Sequence, residues 1–484
     1  MLKFQKLYFI ILVLFLSPQL SAQKVQESPE ILLGGKANDA KVVGTMNNKI
    51  VAWHYNGTAA TVYWYNQDMW QLDSLTLSWA DRDLLATDME IYKDELVIFF
   101  QKSEKRMLYL YGAKVAADKS IQEPVRLDSL ELSNFAQQTR FEFASSPDKK
   151  YHLSRIWQNI NSKKQMLISA KLYDVDFKVV HSYTKTFEND ETYELIDAAV
   201  DSKGGVFMLL GEKRFKRKAY ERLAIISKRV QDAEALISPI DLKNYAWSGL
   251  KIAQFAQDRN IYLGGLFHKN RFQEAQGIVA LVYDMEGNNI SAQQVIPVVM
   301  QQKTSSLNMK DLKVRDFYLR ADRGYELVAE KYYVESRVIN DMPGLMTTGV
   351  GRLSQNGSRT IENEENFNEL HVFSINPDGS LQWSQTLLKE QRTMGTKSAF
   401  ASYGLLRHRL GNVFLFNDYT GRNTRLLGGY VSNKGELTLR QMPEGEDLFA
   451  NKNLIIRYAK QVSKDAVVAP VVSRGRLSFV KISF

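Results

Sequence analysis

The chain has 484 residues, 44% of them hydrophobic, 11% aromatic and 24% charged, with only 10 prolines. These proportions exclude a long disordered polymer, and the hydropathy pattern beyond the N-terminus excludes a bundle of membrane-spanning helices. With no cysteine there are no disulfides, no thiol chemistry and no cysteine-held zinc, haem or iron–sulfur sites, while a formal charge of +9 favours anionic partners.

The chain opens "MLKFQKLYFIILVLFLSPQLSAQ". Lys3 and Lys6 precede an apolar run from Leu7 to Leu16, Ser17-Pro18 breaks that run, and Ser21-Ala22 offers small residues for cleavage. The pattern predicts a secretory signal peptide over 1–22 and a mature chain over 23–484. The run is too short to span a bilayer as an ordinary helix, and no later transmembrane span is expected. Export without cysteine suits a bacterial periplasm or the cell exterior, including the outer membrane surface. There the positive bias points to anionic polysaccharide, lipid head groups or acidic envelope protein rather than nucleic acid.

From residue 47 onward one phrase recurs: a polar turn followed by a short apolar run. It reads "NNKIVAWHYNG" (47–57), "KDELVIFFQK" (93–102), "PDKKYHLSRIW" (147–157) and "SKGGVFMLLGEK" (202–213). It continues as "DRNIYLGGLF" (258–267), "DRGYELVAEKYY" (322–333), "LGNVFLFNDY" (410–419) and "SKDAVVAPVV" (463–472). A spacing near 55 residues is slightly longer than that of typical propeller arrays. Within each unit an extended run precedes the turn, as in "YELIDAAVDSK" (193–203), and a third strand follows, as in "GIVALVYDMEGN" (277–288). That strand ends in a tight corner such as Asp378-Gly379 in "FSINPDGSLQW" (373–383) or Lys434-Gly435 in "YVSNKGELTL" (430–439). Such pairs accept the positive φ of a hairpin turn. A fourth strand, as in "QQVIPVV" (293–299), leads on. Four short antiparallel strands per repeat make one propeller blade.

These repeats resemble the β-propeller superfamily, and "INPDGSLQW" in particular is similar to the blades of quinoprotein and WD40-like propellers. The resemblance covers about residues 28–484, implies a fold, and carries over no functional residue. The expectation is an all-β propeller of eight four-stranded blades, or seven if the irregular first or sixth unit is miscounted. The last unit supplies "NLIIRYAKQ" (453–461), "AVVAPVV" (466–472) and "RLSFVKISF" (476–484) but no fourth strand. Ile31 to Leu33, in "SPEILLGG" (28–35), would fill the gap and hide the open edges. The sixth unit carries an insertion over 336–370 with no pattern of its own. There Met342, Leu345 and Met346, near Gly344, Gly349 and Gly351, form a flap over the axis, a partner contact or a disordered loop.

In a propeller the loops from second to third strand share a face with the connections between blades, and function favours such loops. Those loops read "QKSEKRM" (101–107), "NINSKKQ" (159–165), "EKRFKRKAYER" (212–222), "HKNRFQE" (268–274) and "DYTGRNTR" (418–425). They gather Lys102, Lys105, Arg106, Lys163, Lys164, Arg214, Lys216, Arg217, Lys218, Lys269, Arg271, Arg422 and Arg425. Trp79, Phe135 and Trp247 on the connections add aromatic surface suited to sugars or peptide side chains. Two plainer readings stand beside this one: hairpin tips carry Lys and Arg for solubility, and large aromatics pack between blades.

The six histidines are scattered without metal-ligand spacing, and no nucleophile elbow, phosphate loop or calcium loop is present. Neither a metal nor a cofactor is expected. The leading expectation is an exported, non-enzymatic propeller, a monomer or part of a complex, that binds an envelope protein or anionic glycan through its basic face. The alternative is a propeller hydrolase or lyase acting on anionic polysaccharide. An outer-membrane barrel fits less well, because "VIFFQ" and "VFMLLG" are continuous apolar runs rather than alternating ones.

Overall fold

The computed structural model describes residues 24–33, 40–132, 140–160, 165–188, 193–212, 219–255, 258–270, 274–298, 309, 311–340, 359–419, 424–442, 449 and 452–484, the side chains of 337–340, 359–362 and 395–397 excepted. Its recurring apolar runs are strands enclosed on both faces. Val206–Glu212 is buried at every position, and Glu95–Glu104 is buried from Leu96 through Gln101. A strand with both faces covered has no polar alternation, which is why these runs read as continuous. Full burial of each Val, Leu, Ile, Phe or Met in them contributes about 1.5–3 kcal/mol.

Eight antiparallel sheets follow one another along the chain, each a blade of a closed ring. Blade 1 runs through Ala40–Met46, Lys49–Tyr55, Ala60–Tyr65 and Gln71–Leu77. Blades 2, 3 and 4 begin with Leu84–Tyr92, Glu142–Ser145 and Tyr193–Val200. Blades 5, 6 and 7 begin with Ala246–Gln254, Leu312–Leu319 and Gly404–His408. Blade 8 is built on Ala466–Ser473 and Arg476–Ser483, with Asn453–Leu454 and Lys460–Gln461 on its inner edge. In all eight repeats the predicted polar turn falls at the junction of the first and second strand of a blade, with Lys49 and Gly411 already opening the second strand, so the count is eight and not seven.

The ring closes through the N-terminus. Ile31 pairs with Leu477, within the stretch expected to supply the missing strand. Most of that strand is nevertheless Lys24–Glu27, which runs antiparallel to the last strand with Lys24 opposite Ser483 and Glu27 opposite Val480. Ser28 reinforces the seam: its amide donates to the Phe479 carbonyl at 2.9 Å, and its hydroxyl accepts from the Phe479 amide at 2.9 Å.

Innermost strands share an irregularity. Register shifts fall between Val42 and Gly44, Leu84 and Ala86, Leu195 and Asp197, Ser248 and Lys251, and Val314 and Asp316. A bulge bends a strand and increases its twist, so these five blades deform alike beside the axis. Adjacent blades interlock through close approaches. A Cβ at Gly264 of blade 5 would lie 2.4 Å from the Phe317 ring of blade 6, and one at Gly112 of blade 2 would lie 2.7 Å from the Phe177 ring of blade 3.

The insertion at 336–370 is not the patternless loop expected. Tyr325–Asn340 and Arg359–Ile375 continue the central hairpin of blade 6 as a long two-stranded ribbon, paired as far as Asn340 opposite Arg359. Gln391–Met394 adds a third strand along Glu364 to Phe367. The segments "YYVESRVIN" and "RTIENEENF" lack the apolar alternation that marks a strand, because they leave the blade. Residues 341–358, including the proposed flap of Met342, Leu345 and Met346, lie outside the described residues.

Candidate binding face

A four-strand meander sends its second-to-third loops and its blade connections to one face, the loop face, and its other turns to the opposite turn face. The stems of all five cationic loops stand on the loop face: Glu104 and Met107, Ile160 and Gln165, Glu212 and Arg222, His268 and Gly277, and Asp418 and Arg425. Lys105 and Arg106 form an exposed turn, and Lys269 and Arg425 are exposed. Lys102 lies in a strand and pairs with Asp81 at 2.6 Å. Lys163, Lys164, Arg214, Lys216, Arg217, Lys218, Arg271, Arg422 and Phe135 lie outside the described residues.

The two described aromatics behave differently from a ligand platform. Trp247 is fully enclosed in the core between blades 4 and 5, and its backbone bridges to Tyr220. It therefore offers no surface on the face. Trp79 is half-buried and stacks on Phe100 with ring centroids 4.0 Å apart. Both rings bury apolar area at blade boundaries, where large aromatics contribute most.

Sequence reasoning missed the cations inside the ring. Lys41, Arg140, Lys313 and Arg457 lie at or near the loop-face ends of the inner strands of blades 1, 3, 6 and 8. Lys41 donates to the Thr87 carbonyl at 3.0 Å, bridging blades 1 and 2. Around it a depression of about 290 Å³ is lined by Leu84 to Thr87, Trp53, Tyr55, Arg140 and Tyr458. Lys313 sits over the Tyr332 ring at 3.8 Å. Burial pushes its ammonium below the usual lysine range; the positive charges of Arg315 and Arg457 push the same way, and the carboxylates of Glu365 and Glu330 oppose them. Deeper in the hub, Asp88 is open to solvent, yet desolvation raises its carboxyl and the neighbouring Glu90 adds to the shift.

Below this rim a buried network ties blade 6 to blade 7. Glu330 meets Lys389 at 2.8 Å, Arg315 at 2.8 Å and the Ser402 hydroxyl at 2.9 Å. Lys389 also donates to the Phe367 carbonyl and to Gln391 Oε1, each at 2.9 Å. Burial pushes Lys389 down to about 8, against the attraction of Glu330.

The turn face holds a second concavity, about 470 Å³, between blades 6 and 7. Its floor is a closed triangle. Tyr318 donates to Glu326 Oε2 at 2.6 Å, and Asn412 Nδ2 approaches both Glu326 Oε2 at 2.6 Å and the Tyr318 hydroxyl at 2.7 Å. Arg407 lies over the Tyr318 ring at 4.4 Å. Burial, reinforced by Glu326, holds the Tyr318 phenol well above its ordinary value.

No family model and no curated protein matches the chain. Among solved structures, one from a study of two prolyl endopeptidases covers 92% of this chain and 55% of its own, at 10% identity and a TM-score of 0.40. The β-propeller domain of the Trilobed protease from Pyrococcus furiosus covers 82% and 92%, at 9% identity and 0.35. A variant of Synechocystis apocarotenoid oxygenase covers 96% and 94%, at 8% identity and 0.33. The chain thus spans little more than half the length of the endopeptidase structure, and likeness at these scores carries no argument about activity. The sheets themselves define the class: an eight-bladed β-propeller. Among the described residues no helix is long and apolar enough to cross a membrane.

Proposed function

We propose that this propeller is an exported, non-enzymatic binding protein of the periplasm or outer surface that docks an envelope protein or anionic glycan on its loop face. The observation that carries the reading is the cationic hub mouth: Lys41, Arg140, Lys313 and Arg457 come from four blades. They lie inside the circle of stems from which the five cationic loops rise. Cations from separate repeats converging on one face raise the local concentration and on-rate of an anionic partner, with a strong dependence on salt. The export half of the proposal rests on residues 1–22, which lie outside the described residues.

The test is a binding screen against anionic glycans and envelope proteins at two salt concentrations, with Arg214→Glu, Arg217→Glu and Lys218→Glu combined. Binding that falls with salt and falls again in the triple variant supports the proposal. Binding unchanged by charge reversal overturns it.

The alternative, a polysaccharide hydrolase or lyase, draws on the grouping of Tyr318, Arg407 and His408 in the turn-face cleft. A lyase needs a base that removes a proton near neutral pH. Tyr318 keeps its own proton at that pH, held by burial and Glu326, so it does not fill that role.

A further inference from the structure

We infer that the cleft between blades 6 and 7 on the turn face is a binding site for a hexuronate, a sugar bearing one carboxylate. The site is separate from the loop face and does not depend on the proposal made for that face. The floor is prearranged: Glu326 and Asn412 are almost fully buried, and the hydrogen bonds among Tyr318, Glu326 and Asn412 fix their rotamers. With Asn412 Nδ2 and Glu326 Oε2 engaged in the triangle, Glu326 Oε1 and Asn412 Oδ1 are the acceptors left for sugar hydroxyls. The lining is mixed, with the Tyr318 ring and Ala321 set beside charged and amide groups, and a cavity of about 470 Å³ admits a single sugar ring.

The rim supplies the complementary charge. Arg407 is held by its ring contact and by one Nη donating to the Leu319 carbonyl at 3.2 Å. Its other guanidinium nitrogens make no side-chain bond within the described residues. The Arg409 guanidinium likewise makes none there, while its main-chain carbonyl is fixed by Asn433 at 2.8 Å. His408 accepts the Leu410 amide on Nδ1 at 3.3 Å, which leaves Nε2 for a ligand. Arg320, by contrast, is engaged with Asp322 through two bonds of 3.1 and 2.8 Å and contributes shape rather than a free donor. Guanidinium groups bind a carboxylate through paired, charge-assisted hydrogen bonds. The arrangement therefore reads hydroxyls at the bottom and a carboxylate at the mouth, which separates a hexuronate from a neutral sugar and from a simple organic acid.

The experiment is calorimetric titration of the full chain with D-glucuronate, D-glucose and acetate. D-Glucuronate binds, and glucose and acetate each bind at least about tenfold more weakly. Arg409→Gln, a change at an exposed side chain, weakens glucuronate by about tenfold with an unchanged unfolding temperature. The triple loop-face variant binds glucuronate as the native protein does, so the two proposals fail separately. Equal affinity for acetate shows that the floor reads no hydroxyls, and equal affinity for glucose shows that the rim reads no charge. Either result, no binding of glucuronate, or undiminished binding in Arg409→Gln, overturns the inference.

Discussion

Glu330 and Lys389 face each other at 2.8 Å with neither side chain exposed to solvent. Breaking a buried pair leaves an uncompensated charge, which costs more than the pair itself contributes. Lys389→Met is therefore expected to destabilise the protein by about 3 kcal/mol. Replacing both residues, Lys389→Met with Glu330→Leu, recovers part of that loss, since Arg315 is near enough to the surface to be hydrated. A double-mutant cycle by denaturant unfolding measures the coupling. Additive losses would contradict the pairing.

His371 is buried, with its Nδ1 at 3.1 Å from the Thr386 hydroxyl, and burial pushes its imidazole down to about 4. Burial likewise pushes His152 and His181 below the usual histidine range. A folded-state value below the unfolded one means that the unfolded chain binds more protons between pH 6.5 and about 4. Stability is then fully present above the ordinary histidine value and is lost as pH falls through that window. Each such group contributes a slope of up to about 1.4 kcal/mol per pH unit. Unfolding free energies collected across the window have a shallower slope in His371→Gln than in the native protein; identical slopes would exclude the imidazole as a contributor.

Gly264 is where blade 5 admits the Phe317 ring of blade 6. Gly264→Ala brings its new carbon against that ring and is expected to cost about 1–3 kcal/mol by overpacking. Phe317→Leu in the same background restores part of the loss by making room. Urea unfolding of the single and double variants decides it, because a rescue requires that the two positions touch.

Much of the fold was legible in the chain because each blade repeats the same local physics. Asn, Asp, Lys and Gly at the corners, followed by doubly buried apolar runs, locate the first turn of all eight blades. The seam was read only in part: "KVQE" is polar and abuts the expected leader, so Lys24–Glu27 gives no strand signal even though it pairs with Val480 to Ser483. Outward-running strands such as "YYVESRVIN" escape for the same reason, since no core selects their alternation.

The sites were less legible. Tyr318 and Asn412 are 94 residues apart, and "YLRADRGYE" and "RHRLGN" each read locally as turn chemistry. Only the curvature of the ring makes them neighbours. Lys313 and Arg457 stand in separate blades and belong to no charge run. Trp247 misled in the other direction, because an aromatic near a blade connection gives no sign from sequence whether it is a platform or a wedge.

The seam between Lys24–Glu27 and Val480–Ser483 gives the molecule a wheel without terminal units. A linear array frays from its outermost repeats, whereas here every repeat is flanked on both sides. Loss of order must begin by unzipping one short pairing, so a clip placed across Lys24 and Ser483 would act on all eight blades at once.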